Sequence, residues 1–428
     1  MCIWSVVFFF VKPVYSTDGM KSHKKNKSTP KKYIRRYFDF SAVTPVDPIV
    51  QKVVQQYDSW LFHNAGTVYK EGVLAHQALE HAREGIAQTL HGLPQEIIFT
   101  SGATESDNLA LYGILRAYKG KKKPHVIVSS VEHSAVYEWV THMVARGEIE
   151  ATFIPVDVSG QVDIRALKES IRSETILVSI QYVNSETGVI QPIQDLVRVV
   201  KKYRKESQTI YPYVHTDAAQ ALLYLPIHLD TLGVDLLTLN SAKVYGPHGV
   251  GLLVVRRGVF FEPLFYGGNQ EYRKRPGTVH VAAIVGFAEA IMIADKRREK
   301  DNKKLSEQRA FFLKKIQAFP QIHILGNPET TTSAHIFLYI EKYPSDLLVL
   351  ELDARGILVS SQSACTIGGG EISRVFTAIT GNSDKNELTG TVRITLGRTT
   401  SMKDIHACIN AFKDIFKKYN AWYTADIS

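Results

Sequence analysis

An aspartate and a lysine stand at the ends of two apolar runs in the middle of the chain. Asp217 closes the run YPYVHTD, and Lys243 follows LLTLNSA and precedes a Gly/Pro turn. A lysine at the mouth of an apolar sheet is desolvated, so its pKa falls and its amine becomes a nucleophile toward an aldehyde. An aspartate on the same sheet could keep a pyridine nitrogen protonated, as pyridoxal phosphate requires. The alternative is a pair of solvated loop residues, because surface strand ends often carry both residue types.

Three other polar side chains also follow strand-like runs. Thr104 comes after IIFTSGA, His133 after HVIVSSVE and Ser185 after ILVSIQYVN. Short apolar runs that alternate with helical stretches predict a mostly parallel sheet covered by helices on both faces. Ligands collect beyond the carboxyl ends of the strands in such a sheet. We therefore expect these residues to converge on one site with Asp217 and Lys243.

The stretch SGATES, which begins at Ser101, predicts a turn that opens a helix. The first amides of a helix are unpaired and the helix dipole is positive there, so the turn suits a phosphate group. An ordinary capped helix is the alternative, because serine, threonine and glycine are common at caps. The imidazole of His133 could stack on a planar ring or relay protons, since its pKa lies near neutrality. A structural histidine is the alternative at that position.

Longer motifs surround the aspartate and the lysine. HTDAAQ (215–220) and KVYGPHGVG (243–251) resemble the His-x-Asp-Ala-x-Gln and Lys-x-Tyr-Gly-Pro-x-Gly-x-Gly runs of the cysteine desulfurases. That family is a branch of the class V aminotransferases, which are fold-type I pyridoxal phosphate enzymes. SGATES, Glu132–His133 and YGGNQEYRKRPGTVH (266–280) extend the resemblance, which covers the chain from Tyr37 to its end. It implies an α/β fold with a large domain, built on a mostly parallel seven-stranded sheet covered by helices, and a smaller α/β domain.

The resemblance also implies a role for each residue that matches. Lys243 would carry pyridoxal phosphate covalently, and His133 would stack on its ring and act as acid and base. Asp217 would hold the pyridine nitrogen, and Gln220 would donate to the phenolic oxygen. The remaining cofactor contacts would come from Ala103, Thr104, Ser185, Asn240 and, from the neighbouring subunit of a homodimer, Thr278.

The substrate would be held by an arginine near the end of the chain. Arg393 lies in TVRITL, a strand-like run of β-branched residues, and its planar guanidinium suits bidentate binding of an amino-acid carboxylate. The resemblance implies this role for Arg393. Asn184, which precedes Ser185, is a second candidate for a substrate contact.

Three cysteines, Cys2, Cys365 and Cys408, offer neither a disulfide framework nor a CxxC metal signature. This usage is typical of a reducing compartment. An exposed cysteine is a candidate nucleophile, whereas a buried one is usually inert. The run from Ser363 to Cys365, followed by Glu371-x-Ser373, resembles the long-loop desulfurases, whose cysteine forms a persulfide. Cys408 falls on an apolar helical stripe, which predicts packing in the core.

The chain departs from the family pattern at several positions. Phe40 and Ser41 stand where the family has two asparagines, so contacts to the substrate from this end are doubtful. Ser185 replaces an asparagine that touches cofactor or substrate. Asn240 and Ala242 replace a serine and a histidine that bind the phosphate. Loss of one charge-assisted hydrogen bond, of about 1.5 to 3 kcal/mol, should weaken cofactor binding without abolishing it.

Length and composition suggest how the chain is divided. With 428 residues, 45% of them hydrophobic and 22% charged, it can bury a large core. We predict an extension over 1–32, a large cofactor-binding domain over 48–290, and a small domain from 33–47 and 291–428. The net charge of +9 is concentrated near the N-terminus, where 12–36 contains nine Lys or Arg and one acid, Asp18. The rest is nearly neutral, which argues only weakly for nucleic-acid binding.

The N-terminal run MCIWSVVFFFV is too short to span a membrane and lacks a basic stretch before it. We predict a cytoplasmic protein with a poorly ordered extension, and a transit peptide to an organelle is the alternative. The predicted activity is conversion of L-cysteine to L-alanine, with transfer of sulfur to an acceptor protein or thiol for iron-sulfur or thio-cofactor assembly. The alternatives are another class V enzyme, such as a selenocysteine lyase or an aminotransferase, and a degenerate scaffold without activity.

Overall fold

The computed structural model describes residues 35–341, 343–361, 373–381 and 389–425. Its strands in chain order are β1 Arg36–Tyr37, β2 Ile97–Thr100, β3 His125–Ser129, β4 Glu150–Ile154, β5 Thr175–Ser179, β6 Tyr213–Asp217, β7 Leu236–Asn240, β8 Gly251–Val255, β9 Ile322–Leu325, β10 His335–Glu341, β11 Ile357–Leu358 and β12 Thr389–Thr395. The helices are α1 Pro48–Trp60, α2 Lys70–Thr89, α3 Ala103–Ala117, α4 Ser134–Ala145, α5 Ile164–Ser170, α6 Ile193–Ser207, α7 Leu229–Leu232, α8 Val281–Ile316, α9 Ser345–Asp353, α10 Arg374–Thr380 and α11 Met402–Ala425.

A seven-stranded sheet, in the order β2-β8-β7-β6-β5-β3-β4, forms the centre of the fold. The strands β4, β3, β5, β6 and β7 pair in parallel, whereas β8 runs antiparallel to both of its neighbours. Most of these strands are buried along their whole length, because helices cover both faces of the sheet. The predicted α/β fold with a mainly parallel seven-stranded sheet is therefore confirmed.

A second, antiparallel sheet lies in the C-terminal part of the chain, in the order β12-β10-β9. The start of the described chain joins this part, since β1 pairs in parallel with β11. Phe38, which follows β1, is fully buried in the same core as Ile357 and Leu396. This arrangement brings the segment after Phe38 back toward the large sheet.

The long helix α8 contributes to two hydrophobic cores. Its first half places Ile284, Phe287 and Ile291 in the core of the seven-stranded sheet. Its second half places Phe312 and Ile316 in the core of the C-terminal part. The helix therefore crosses the predicted domain boundary at 290–291 without a break, and the domain limits themselves stay a prediction.

A local sequence signal explains where helix α1 begins. Helix α1 starts at Pro48 after the cap Asp47, whose carboxylate accepts a hydrogen bond from the Ile49 amide. Cys408 is fully buried on α11 and burial raises the pKa of its thiol, which fits the predicted packing role.

Among the described helices, none combines the length and apolar composition needed to cross a membrane. The predicted N-terminal extension over 1–32 lies outside the described residues.

Candidate active site

The carboxyl ends of several strands of the large sheet surround a cavity of about 190 Å³. Its lining includes nine of the residues singled out in the sequence, namely Ala103, Thr104, His133, Ser185, Asp217, Gln220, Asn240, Lys243 and Arg393. The remaining lining residues are Ser41, Ala42, Gln181, Val183 and Ala219. The predicted strand-end residues thus converge on one space, as expected for a sheet of this kind.

Lys243 enters the cavity from a short 3-10 turn, Ser241–Lys243, that directly follows β7. Its Nζ donates hydrogen bonds to the carbonyl oxygens of Ser41 and Ala42, over 2.9 and 2.5 Å. The side chain of Gln220 also donates to the Ser41 carbonyl, over 2.8 Å. One backbone carbonyl therefore positions both the amine and a neighbouring amide donor.

The segment that supplies these carbonyls is held against the lysine turn by the backbone. Thr44 donates to the carbonyl of Ala242 from both its amide and its hydroxyl, over 2.9 and 3.0 Å. The Tyr245 amide in turn donates to the Thr44 hydroxyl, over 2.7 Å. The N-terminal segment therefore reaches the cavity although its side chains depart from the family pattern. Ser41 lines the cavity, and Phe40 is buried beside it.

Asp217 ends β6 and is largely buried at the cavity floor, where its Oδ1 accepts a hydrogen bond from the Ala219 amide. Burial raises the pKa of Asp217, while the nearby charges of His133 and Lys243 act in the opposite direction. A buried carboxylate beside cationic groups can pair with a protonated ring nitrogen. The position of Asp217 therefore fits the role that the resemblance implies.

His133 caps the N-terminus of α4 and faces the same cavity. Its Nδ1 accepts a hydrogen bond from the Ala135 amide over 3.1 Å, so the proton of the neutral imidazole is on Nε2. Burial lowers the pKa of His133, and the charge of Asp217 partly opposes that shift. The shift favours the neutral imidazole, whose Nε2 can donate its proton and then accept one back.

The start of α3 forms another wall, as the SGATES stretch predicts. Ala103 and Thr104 line the cavity at the first turn of this helix, where backbone amides are unpaired. A Cβ on Gly251 would lie 2.7 Å from the Gly102 Cα, so glycine at 251 lets β8 lie against this turn. Asn240 lines the same cavity, and its Oδ1 accepts from the Ala242 amide over 3.2 Å.

Arg393 lies on β12 and is nearly fully buried. Its guanidinium donates to Asp39 Oδ1 over 2.7 Å and to the Ser185 carbonyl over 3.1 Å. The buried Nε has no hydrogen-bond partner among the described residues. Arg393 also lines the cavity, so its guanidinium can bind a carboxylate that enters there.

Both ends of the segment 362–372 are attached to walls of this cavity. Ser360, on its N-terminal side, exchanges two backbone hydrogen bonds with Arg393, over 2.7 and 3.3 Å. Ser373, on its C-terminal side, donates from its hydroxyl to Glu186 Oε2 over 2.6 Å. Cys365 itself, the predicted nucleophile, lies outside the described residues.

Two predicted site residues do not line the cavity. Asn184 is buried in the turn beside it, where its Oδ1 accepts from Glu186 and Thr187 and its Nδ2 donates to the Val131 carbonyl. Thr278 is exposed on the segment between β8 and α8. Asn184 therefore shapes the turn that carries Ser185, and Thr278 is placed away from the cavity of its own chain.

The sequence reasoning missed the residues that act through the backbone or by ion pairing. The contacts made by the backbone carbonyls of Ser41 and Ala42 cannot be recognised from residue type, because every residue has a backbone carbonyl. Asp39 was overlooked, although a carboxylate close to the family's N-terminal motif was a visible signal. Gln181 fixes the connection after β3 by donating to the Val131 carbonyl.

The residues present fit pyridoxal phosphate. The cavity combines an amine, a buried carboxylate next to an imidazole, and the open end of a helix for a phosphate. These are the groups that would bind, respectively, an aldehyde, a pyridine nitrogen with its ring, and a phosphate ester. Arg393, in the lining of the same cavity, supplies a guanidinium for a substrate carboxylate.

Comparison with known proteins agrees with this geometry. The sequence profile of the family described as "Aminotransferase class-V" matches residues 36–408. The chain belongs to the class-V aminotransferase family. Enzymes of this family depend on pyridoxal phosphate, which agrees with the fit of the cavity.

Individual class-V proteins are similar over most of the chain. The "Cysteine desulfurase IscS" of Dictyoglomus turgidum is 37% identical over 386 residues, which make up 89% of this chain and 94% of that protein. A solved structure titled "NIFS-LIKE PROTEIN" matches with a TM-score of 0.82 and 30% identity, covering 90% of this chain and 99% of the other. A structure titled "SspA in complex with cysteine" matches with a TM-score of 0.72 and 32% identity, covering 84% and 98% of the two chains. These similarities confirm the predicted fold-type I architecture.

Proposed function

We propose that this class-V protein is a pyridoxal phosphate-dependent cysteine desulfurase, which converts L-cysteine to L-alanine and leaves a persulfide on Cys365. The observation that carries the proposal is the cavity in which Lys243, Asp217, His133 and Arg393 meet. Similarity to proteins named cysteine desulfurase, and to one solved with cysteine, supports the choice of substrate.

Each polar residue of the cavity has its own role in the proposed reaction. Pyridoxal phosphate, when bound, withdraws electrons from the substrate and so makes its Cα proton acidic. Arg393 binds the carboxylate of cysteine and orients it. The amine of Lys243 and the Nε2 of His133 stand in the same cavity and move protons to and from the substrate carbons. Asp217 stabilises the positive charge on the ring nitrogen.

Sulfur transfer needs a second thiol. The Cys365 thiolate attacks the sulfur of cysteine, so an S–S bond forms while the bond between that sulfur and Cβ breaks. The electron pair of the broken bond is left on the carbon side and is neutralised by a proton, so the three-carbon product leaves as alanine. The sulfur remains as the outer atom of a persulfide on Cys365, and no outside oxidant or reductant is needed.

The ends of segment 362–372 support this role for Cys365. Four residues of chain span at most about 14 Å, so Ser361 limits how far Cys365 can lie from the cavity. Ser360 is bonded to Arg393, and Ser373 is bonded to the turn that follows Ser185. The described residues on both sides of the segment that contains Cys365 are therefore bonded to residues that line the cavity or adjoin it.

A homodimer is part of the proposal. Thr278 is exposed and does not line the cavity of its own chain, which suits a residue that reaches the cofactor phosphate of a partner subunit. Large apolar side chains are exposed on the same stretch of chain, including Phe260, Phe265 and Tyr266. Burial of these side chains against a second copy would remove apolar surface from water.

The proposed setting is the cytoplasm, with the persulfide sulfur passed to a protein or thiol acceptor for iron-sulfur or thio-cofactor assembly. The large domain over 48–290 and the small domain over 33–47 and 291–428 are proposed as the parts that carry the cofactor and Cys365.

The test is the release of alanine and sulfide from L-cysteine by purified protein supplied with pyridoxal phosphate and a thiol reductant. We expect equal amounts of alanine and sulfide from the parent and neither product from Cys365→Ala. Cys408→Ala is the matched control, because it removes a buried core thiol and should keep the activity. Alanine formation by Cys365→Ala would refute the assignment of the nucleophile, and no alanine from the parent would refute the function.

A further inference from the structure

The connection between β3 and α4 has its carbonyl groups bonded to side chains from distant parts of the chain. This connection, Ser130–His133, carries the active-site imidazole. The carbonyl of Val131 accepts from Gln181 and Asn184. The carbonyls of Ser130 and Glu132 both accept from one guanidinium, that of Arg374, over 2.8 and 2.6 Å. Buried carbonyls outside regular structure need such donors.

Arg374 contacts the chain on both sides of His133. Its guanidinium carbon lies 3.6 Å from the ring centroid of Tyr137, in the first turn of α4. The residues after it on α10, Val375 and Ile379, pack against Val131 in a small apolar cluster. The start of α10 therefore lies against the whole turn that presents the imidazole.

Helix α10 is itself fixed at its first residue. The Ser373 hydroxyl accepts from the Phe376 amide over 3.2 Å and so caps the helix. The same hydroxyl donates to the buried carboxyl of Glu186 over 2.6 Å. Glu186 follows Ser185, whose carbonyl accepts from Arg393. One short helix thus touches the two connections that carry His133 and Ser185.

We propose that Arg374 is a positioning residue for His133: it bonds two backbone carbonyls of the Ser130–His133 connection and thereby aims the imidazole Nε2 into the cavity. The proposal rests on the proposed function, because it concerns the proton transfers of the same site. Glu132 keeps its own anchors without Arg374, since its carboxyl accepts from Ser129 and from the Gln181 amide. Loss of Arg374 should therefore loosen the connection while the fold is kept.

The kinetic consequence follows from geometry. A neutral glutamine at 374 is too short to bond both carbonyls and cannot stack as a cation on Tyr137. A displacement of about 1 Å in an acid-base group can slow its step on the order of 100-fold while substrate binding is retained. Lys243 and His133 together move the protons of the substrate carbons, so a displaced His133 should slow the step in which the Cα–H bond breaks.

The experiment measures this step by isotope substitution in the holoenzyme. Parent, Arg374→Gln and the control Arg165→Gln, which removes an exposed ion pair on α5, are compared with L-cysteine carrying hydrogen or deuterium at Cα. For Arg374→Gln we expect kcat to fall on the order of 10- to 100-fold, KM to stay within about threefold, and the deuterium effect on kcat to increase. An unchanged kcat, or a fall in kcat without any change in the isotope effect, would overturn the proposal.

A measurement on the protein without cofactor separates this proposal from the proposed function. Amide hydrogen exchange of the peptide spanning 130–137 should be faster in Arg374→Gln and unchanged in Arg165→Gln. Equal exchange in parent and Arg374→Gln would refute the positioning role, whatever the enzyme's substrate. Faster exchange in a protein whose parent form yields no alanine from cysteine would instead refute the desulfurase function. Arg374→Lys, which keeps the charge and one donor group, should restore part of the exchange protection.

Discussion

The loop between β8 and α8 is fastened to the large sheet by a buried ion pair whose loss should have a large effect. Arg83 on α2 donates to both carboxylate oxygens of Glu271, over 2.9 and 2.7 Å, and Glu271 also accepts from the Phe99 amide over 2.8 Å. Burial alone lowers the pKa of Arg83, but the hydrogen bond and charge of Glu271 outweigh it and leave that pKa raised. The backbone at Glu271, Tyr272 and Arg273 has left-handed φ angles of 45°, 56° and 63°, which non-glycine residues rarely adopt.

Glu271→Gln is the change that tests this anchor. It leaves the Arg83 guanidinium buried without its carboxylate, and removal of one partner of a buried pair costs about 3 to 5 kcal/mol. The left-handed backbone at 271–273 is strained, so its relaxation to ordinary φ angles further favours opening of the loop. At the lower end of that range, local opening of the loop becomes on the order of 100-fold more frequent.

Hydrogen exchange provides the assay, with the Phe99 amide and the loop 270–275 as probes. We expect exchange at these amides to accelerate on the order of 100-fold in Glu271→Gln, with strands β5 and β6 unaffected. Glu80→Gln is the matched control, because Glu80 pairs with the same arginine over 3.2 Å but is 35% exposed. Solvent screens this partly exposed carboxylate, so its pairing with Arg83 contributes about 1 kcal/mol or less. Similar, small effects of both substitutions would refute the reasoning that burial makes Glu271 the anchor.

Three further predictions concern the cavity and its surroundings. Lys243→Ala should bind no pyridoxal phosphate covalently, so the purified protein should lack cofactor absorbance while its circular dichroism matches the parent; a retained absorbance band would contradict the anchor. Asp39→Asn removes the carboxylate that orients Arg393, so KM for cysteine should rise about tenfold with kcat within about threefold; an unchanged KM would count against that orientation. Burial raises the pKa of Glu132 to about 8, so the folded protein holds this proton to higher pH than the unfolded chain does. The parent should therefore lose up to about 5 kcal/mol of stability relative to Glu132→Gln between about pH 4.5 and 8, and parallel stability curves in chemical denaturation would refute the assigned pKa.

Much of the site was predictable because its residues sit at strand ends. Asp217, His133 and Lys243 each follow an apolar run, and parallel strands bring their carboxyl ends to one edge. Residue type alone left solvated loop residues and a structural histidine as alternatives, and the longer motifs around these residues selected the cofactor chemistry. A mostly parallel sheet covered by helices was also predictable, because strand and helix periods alternate along this part of the chain, and the family resemblance implied its seven strands.

Contacts that join distant segments were not predictable in this way. The carbonyl of Ser41 accepts from Lys243 across 202 residues of sequence, and nothing in the residue type of Ser41 announces it. Arg374 bonds the carbonyl of Glu132 across 242 residues. Such contacts depend on how the C-terminal part docks on the large sheet, which the local sequence pattern does not encode. The side chains of Phe40 and Ser41 depart from the family pattern, which argued against contacts from this segment. The segment nevertheless reaches the site, because it bonds Lys243 through the backbone carbonyls of Ser41 and Ala42.

The buried groups beneath the cavity explain how one carboxylate stays charged. Asp107 on α3 and His215 on β6 are fully buried, with Oδ1 of the first 3.7 Å from Nε2 of the second. Burial lowers the pKa of His215 to about 3, so this histidine is neutral and cannot offset an anion. Burial raises the pKa of Asp107 well above its usual range, and the charge of Asp217 adds to that shift. For Asp217, by contrast, the charge of Lys243, and that of His133 when it is protonated, favour ionisation. The pKa of Asp107 is thus raised with no cation beside it, whereas the charge of Lys243 opposes the rise at Asp217, so a negative charge is better stabilised on Asp217, where a ring nitrogen can use it.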